Sequence, residues 1–128
     1  MTPGGFHSFD HRWAVPEAVE VHTRLGGRAE VARRTHALAT RLKDGLGEIE
    51  GVRLRTPRDE SLSAGLVCCD VANLDPGEVV DRLREEHRVV ASVTPYRTRY
   101  LRFGPSVANS DADVDAALRA VAAIAKRA

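Results

Sequence analysis

Residues 64–71, Ala-Gly-Leu-Val-Cys-Cys-Asp-Val, carry the strongest strand signal in the chain. They form a short apolar run bounded by turn-forming residues, a pattern that predicts a β-strand. The sequence Asp75-Pro76-Gly77-Glu78 follows directly. It combines a capping residue, a proline at the first helical position and a glutamate three residues after the cap, so a helix should begin here and continue to about Glu86. A strand followed by a capped helix indicates a domain that mixes the two kinds of element.

The flanking sequence completes a small α+β unit. Further strands are predicted at 52–56, 89–93 and 100–103. The final helix is capped by Ser110 and runs to about Lys126. We therefore expect residues 51–128 to form a C-terminal α+β domain with a mixed sheet of three to four strands covered by helices.

Residues 1–50 have a different organisation, with no strand of their own. Residues 2–12 predict a loop, and a short helix should run from Pro16 to Leu25, ended by two glycines. A longer helix is predicted over 28–50, with an apolar stripe at Val31, Leu38, Leu42, Leu46 and Ile49. Because such a stripe must be buried, this N-terminal segment (1–50) is typical of the junction with a larger, preceding domain.

Composition restricts the class of partner. Nineteen basic and 18 acidic side chains leave a formal charge of +1, which argues against nucleic acid and anionic membranes as partners. No apolar run reaches the roughly 18 residues of a membrane span, and residues 1–20 lack the apolar block of a secretory signal. Cys68 and Cys69 are adjacent and should point to opposite faces of a strand, which disfavours a bridge between them. A cytoplasmic protein is expected.

Two stretches carry a resemblance to a known family. The first is Thr2–Ala14, Thr-Pro-Gly-Gly-Phe-His-Ser-Phe-Asp-His-Arg-Trp-Ala. The second is Tyr100–Asn109, Tyr-Leu-Arg-Phe-Gly-Pro-Ser-Val-Ala-Asn, followed by the capped helix start Ser110–Asp115. Together they resemble the C-terminal part of class V aminotransferases, the fold-type I enzymes that depend on pyridoxal phosphate, and within them the branch grouped with isopenicillin N epimerase.

The resemblance implies pyridoxal phosphate as cofactor of the complete enzyme and an amino acid as its substrate. In the family, the lysine that holds the cofactor lies on a large domain upstream of this segment. The chain has only two lysines, Lys43 and Lys126. Lys43 is expected on the solvated polar face of its helix and Lys126 near the terminus, so neither has a pocket that suits a cofactor lysine. By itself the chain should be inactive, and it should require a large domain or a second copy of the chain in a dimer.

The resemblance also assigns roles to individual residues. Arg102 matches the family arginine that binds the substrate α-carboxylate, and the alternative is a structural ion pair with a residue such as Asp113. Asn109 matches an asparagine that shapes the turn before the last helix. The segment Gly4–Ser8 resembles the stretch that reaches the cofactor phosphate of the neighbouring subunit, with Gly5, His7 and Ser8 as candidate cofactor-binding residues. A glycine turn that leads into a helix is the alternative there.

Other possible sites are weaker. His7 and His11 have the spacing of a helical metal pair, but they lie in a glycine-rich segment, so no metal site is expected. The desulfurase branch of the family places a nucleophilic cysteine shortly before the carboxylate arginine, and residues 91–98 contain none. The loop Pro95-Tyr96-Arg97 would instead influence substrate choice.

Two functions from different classes remain open. One is the C-terminal part of a pyridoxal phosphate enzyme that carries out transamination, epimerisation or C–S cleavage. The other is a stand-alone, non-catalytic α+β binding module. A stand-alone domain should bury the long helix's apolar stripe on its own sheet, whereas a fragment should leave apolar surface exposed around Trp13, Val15 and Val19.

Overall fold

The computed structural model describes residues 10–127. Their contacts divide the chain into two compact units, one up to Ala32 and one from Arg33 onward. The first unit contains α1 (Asp10–Trp13), α2 (Val15–Arg24) and the first turns of α3 (Gly27–Gly47). The second unit contains the rest of α3 and then, in chain order, β1 (Val52–Leu54), a 3-10 turn (Glu60–Leu62), β2 (Val67–Val71), α4 (Pro76–His87), β3 (Ser92–Val93), β4 (Leu101–Phe103) and α5 (Asp111–Ala125).

The second unit has the predicted α+β fold. Its four strands form one sheet in the order β1-β2-β4-β3. All three strand pairs are antiparallel, where a mixed sheet was expected. The short connection 94–100 explains the direction of β3 and β4, because a parallel pair requires a crossover of about a dozen residues or more.

β3 is shorter than the predicted strand 89–93. Arg88 ends α4 in the left-handed conformation (φ 57°), and the Val89 N–H donates to the Leu83 carbonyl. The residues directly after the helix therefore complete its C-terminus and cannot pair with β4, so the strand begins at Ser92.

One face of the sheet packs against the helices of the second unit. In β2, Val67, Cys69 and Val71 are buried, while Cys68 and Asp70 between them are only half-buried. This alternation places the core on one side of the sheet. The buried apolar side chains from the helices are Leu38, Ala39, Leu42, Leu46, Val79, Leu83, Val114, Ala117, Ala120, Val121 and Ile124. Most of the α3 stripe is thus covered within this unit.

Gly45 allows α3 and α5 to approach closely. A Cβ atom at this position would overlap the side chain of Leu118 on α5. Glycine costs about 1 kcal/mol of helix propensity relative to alanine. The structure shows that the missing side chain provides the space for Leu118.

Lys43 corrects a prediction. It was expected on a solvated helix face, but only 2% of it is exposed. Its Nζ donates to the carbonyl oxygens of Arg58 (2.9 Å) and Pro57 (3.3 Å) and to the Ser63 hydroxyl (3.0 Å). A buried lysine requires such partners. Lys43 therefore anchors the connection between β1 and β2 to α3, which periodicity could not reveal because these acceptors are distant in sequence.

The first unit exposes several large apolar side chains. Trp13 is 78% exposed, and the others are Val15, Val19, Val21 and Leu25. Residues 10–12 were expected in a loop, but they belong to α1; the remainder of that predicted loop lies outside the described residues. Within residues 10–127, no helix is long and apolar enough to cross a membrane.

Candidate functional site

The sheet face opposite the core carries a row of polar side chains. Cys68 of β2 pairs with Arg102 of β4, and Arg102 pairs in turn with Ser92 of β3. Directly paired residues on one sheet face have Cβ atoms about 4.5–5.5 Å apart. The strand register therefore brings three residues from distant parts of the sequence into contact range around the Arg102 guanidinium.

Arg102 is half-buried and is oriented by Ser92. Its Nε donates to Ser92 Oγ at 3.0 Å, and Ser92 Oγ is 3.4 Å from the Arg102 carbonyl oxygen, to which it donates. In the described part of the chain, no carboxylate lies within ion-pair distance of Arg102. Other arginines of the unit behave differently: Arg41 binds Asp115 through two nitrogens, and Arg58 binds Asp44.

Asp113, the alternative structural partner of Arg102, is used elsewhere. Its carboxylate accepts from the Ser110 N–H (2.8 Å) and the Ser110 hydroxyl (3.0 Å), which forms a reciprocal cap at the start of α5. These hydrogen bonds from Ser110 hold the pKa of Asp113 below its ordinary value. Among the described residues, the structural ion pair of Arg102 with Asp113 that was considered from the sequence is therefore absent.

A second group of side chains borders this row. The Arg55 guanidinium contacts the Asp70 carboxylate at 2.5 Å and lies 5.3 Å from the centre of the Tyr100 ring. Arg55 and Asp70 neutralise each other, whereas Arg102, two residues beyond Tyr100, has no carboxylate partner among residues 10–127. Sequence reasoning missed this group. Strand alternation places Asp70 with Cys68 and Tyr100 with Arg102, but it does not show that the two strands are neighbours.

The two cysteines lie on opposite faces, as predicted. Cys69 is in the core, and burial raises the pKa of its thiol to about 12. Burial also raises the pKa of Cys68, while a hydrogen bond with Thr56 and the charge of Arg102 act in the opposite direction. Both thiols are free. Cys68 beside Arg102 therefore stays neutral at ordinary pH and does not cancel the arginine's charge.

The connection between β3 and β4 is fixed at its base. Thr94 is buried, and its hydroxyl accepts from the Tyr100 N–H (2.9 Å) and donates to the Thr98 carbonyl (3.4 Å). Tyr96 at the tip of this connection is exposed. The connection thus holds exposed side chains on a rigid base that leads directly into β4.

Asn109 has the turn-shaping role that was expected. Its side-chain oxygen accepts from the Ser106 N–H at 3.0 Å, and its own N–H donates to the Ser106 carbonyl at 2.9 Å. These bonds close the turn between β4 and α5. Asn109 therefore fixes the path of the chain out of β4 toward the Ser110 cap.

The other candidate residues divide into two groups. Gly5, His7 and Ser8 lie outside the described residues. His11 is in α1, and residues 10–127 contain no group of three or more histidine, cysteine, aspartate or glutamate side chains that could hold a metal ion.

Similarity to solved structures shows the class of fold. It is the fold of the C-terminal part of fold-type I pyridoxal phosphate enzymes, as the resemblance predicted. Among solved structures, the chain is similar to the apo cysteine desulfurase of Thermococcus onnurineus NA1 (TM-score 0.77, 24% identity), covering 85% of this chain and 29% of that one.

Two further structures show the same likeness. Oryza sativa TDC, solved with PLP and tryptamine, has a TM-score of 0.65 at 18% identity, covering 81% of this chain and 24% of that one. The aminotransferase TlmJ of Streptoalloteichus hindustanus has a TM-score of 0.60 at 19% identity, covering 85% and 35%. The chain thus spans about a quarter to a third of the length of these proteins. No protein-family model and no curated protein matches it.

The described residues do not fit a covalent attachment of pyridoxal phosphate. Such an anchor requires a lysine amine that can reach the cofactor aldehyde. The amine of Lys43 is enclosed by three acceptors, and Lys126 is exposed at the C-terminal end of α5. Residues 10–127 therefore supply no cofactor lysine.

Proposed function

We propose that this chain is the C-terminal part of a pyridoxal phosphate enzyme that acts on amino acids, and that Arg102 binds the α-carboxylate of the substrate. The observation that carries the proposal is the state of Arg102, which is half-buried on a sheet face, oriented by a neutral hydroxyl and without a carboxylate partner in the described chain. A planar guanidinium suits a two-pronged contact with a carboxylate.

The reaction belongs to the complete enzyme. The cofactor would supply the electron sink for transamination, epimerisation or C–S cleavage, and the large domain would supply the lysine that this chain lacks. We propose the isopenicillin N epimerase-like branch on the residues 2–14. A desulfurase role is disfavoured because the connection 94–100 contains no cysteine, whereas Cys68 and Cys69 lie in β2.

The proposed partners are the large domain and a second copy of the chain in a cytoplasmic dimer. The exposed apolar side chains of the first unit, Trp13 and Val19 among them, support a partner surface there. In such a dimer, Gly5, His7 and Ser8 would contact the phosphate of the neighbouring subunit's cofactor, because backbone N–H groups and a hydroxyl are suitable phosphate donors.

Carboxylate binding can be tested on the chain itself. The side-chain NMR signals of Arg102, labelled with ¹⁵N and assigned by their loss in Arg102→Lys, should shift saturably with L-alanine. L-Alaninamide, which lacks the carboxylate, should have no comparable effect. Arg102→Lys keeps the charge and loses the paired geometry, so its binding free energy for L-alanine, measured from backbone amide shifts, should weaken by about 1.5–3 kcal/mol. Arg53→Lys, on an exposed residue of β1, is the matched control. If the Arg102 signals do not shift when L-alanine is added, the proposed carboxylate-binding role of Arg102 is wrong.

The cofactor assignment has its own test. Pyridoxal phosphate added at equimolar concentration and reduced with borohydride should leave no stoichiometrically modified lysine in the folded chain, because Lys43 is enclosed by its acceptors and Lys126 is exposed at the end of α5. Mass spectrometry of the digested chain provides the measurement. Full modification of one of the two lysines would show that the chain anchors the cofactor.

The stand-alone binding module is the second candidate. It is favoured by the core of the second unit, in which Leu38, Leu42 and Leu46 of α3 are buried together with the sheet residues. That unit has the core that independent folding requires. A purified chain that is monomeric, stable and unable to combine with a lysine-bearing large domain would favour this second candidate over the first.

A further inference from the structure

We infer that Ser92 is a positioning residue that sets the direction from which Arg102 receives a carboxylate. This inference rests on the proposed function of Arg102. Ser92 lies in β3, directly opposite Arg102 in the strand register, and its Oγ is 3.0 Å from Arg102 Nε. The two residues are ten positions apart in sequence, so the contact depends on the pairing of β3 with β4.

The direction of this hydrogen bond follows from the chemistry of arginine, and a second hydrogen bond from the serine is consistent with it. Arginine has only donors, so Ser92 Oγ must accept from Nε. The hydroxyl proton of Ser92 is directed to the carbonyl oxygen of Arg102 at 3.4 Å. The serine therefore connects the side chain of Arg102 to the Arg102 main chain and holds the guanidinium plane in one orientation.

Occupation of Nε has a consequence for the ligand. A carboxylate can approach a guanidinium along the edge formed by Nε and one terminal nitrogen, or at the end formed by the two terminal nitrogens. With Nε bound to Ser92, only the end with the two terminal nitrogens offers two free donors. The structure thus assigns an end-on carboxylate contact, and Ser92 excludes the side-on one.

No other strong acceptor replaces Ser92. Cys68, the opposite neighbour of Arg102, has a neutral thiol, and a thiol is a weak acceptor. Asp70 is bound to Arg55, and Asp113 is bound to Ser110. In the part of the chain that the structure describes, the orientation of Arg102 thus depends on a single hydroxyl.

The test compares two substitutions with opposite expectations. Ser92→Ala removes the acceptor and should weaken the binding of L-alanine, measured from the Arg102 terminal-nitrogen signals, about tenfold. Ser92→Thr keeps the hydroxyl and suits a strand, so it should bind within about twofold of the unsubstituted chain. Urea unfolding of both variants checks that the fold persists. It also separates the two roles of the serine, because a purely structural serine would change stability and leave the affinity for L-alanine unchanged.

Hydrogen exchange in the unsubstituted chain tests the inference without a variant, so poor folding of a variant cannot affect it. The Arg102 Nε–H should exchange with water more slowly than that of exposed Arg97, and equal rates would overturn the inference. Suppose that the unsubstituted chain binds L-alanine. The positioning role is then refuted, and the carboxylate site stands, if Ser92→Ala binds L-alanine equally well. The same holds if Ser92→Thr binds it as weakly as Ser92→Ala. If L-alanine does not bind at all, both proposals fail.

Discussion

Replacing Lys43 by methionine tests whether the buried lysine stabilises this fold. Methionine is also unbranched and of similar length, so it keeps the packing of the lysine stem and removes the three donors. Each hydrogen bond from a charged group contributes about 1.5–3 kcal/mol. Removal of the charge relieves a desolvation penalty of several kcal/mol, which acts in the opposite direction.

The positions of the acceptors decide the expected size of the effect. Pro57 and Arg58 are exposed residues, so their carbonyl groups can bind water after the substitution, whereas Ser63 is half-buried. We therefore expect Lys43→Met to lower the free energy of unfolding by about 2–4 kcal/mol, below the simple sum of three bonds. Lys43→Ala should cost more, because it also leaves a cavity.

The assay is urea unfolding followed by circular dichroism, with the midpoint compared at a common slope. Lys126→Met is the matched control, since it removes the other lysine from an exposed position and should change stability by less than about 0.5 kcal/mol. A Lys43→Met chain as stable as the unsubstituted one, or more stable, would contradict a stabilising role of Lys43. It would show that desolvation of the amine outweighs its three hydrogen bonds.

Three further predictions concern other parts of the chain. Gly45→Ala should destabilise by about 1–2 kcal/mol in urea unfolding despite its better helix propensity, because the new methyl group overlaps Leu118. Cys69 should resist iodoacetamide at pH 8 until the chain unfolds, because burial raises its pKa to about 12, and Cys68 should react first. Trp13→Ser should reduce self-association in sedimentation velocity, because this exposed indole belongs to the apolar surface of the first unit.

Each of these has a distinct contrary result. An unchanged or higher midpoint for Gly45→Ala would mean that Leu118 can move aside without loss. Alkylation of Cys69 before Cys68 in the native chain, located by peptide mass spectrometry, would contradict the burial of Cys69. A chain that is monomeric at all concentrations would count against a second copy as the partner of the first unit.

The candidate site was predictable only in part. Arg102 could be selected for two reasons. It is a charged residue in an apolar strand, and it matches the arginine that the family uses to bind the substrate carboxylate. The sequence could not indicate Ser92 or the pair of Arg55 with Asp70, since their contacts depend on which strands are neighbours. The resemblance also named Gly5, His7 and Ser8, and these remain predictions.

Most of the elements and the two faces of β2 could be predicted from the sequence. Caps such as Asp75 and Ser110 act within a few residues, and the alternation of buried and half-buried residues in β2 follows from strand geometry, so both are readable locally. The folded chain was needed to show that the sheet is antiparallel throughout, that Lys43 is buried and that Ser92 orients Arg102. Those outcomes depend on acceptors and neighbours that lie far away along the chain, and no local periodicity encodes which distant groups will meet.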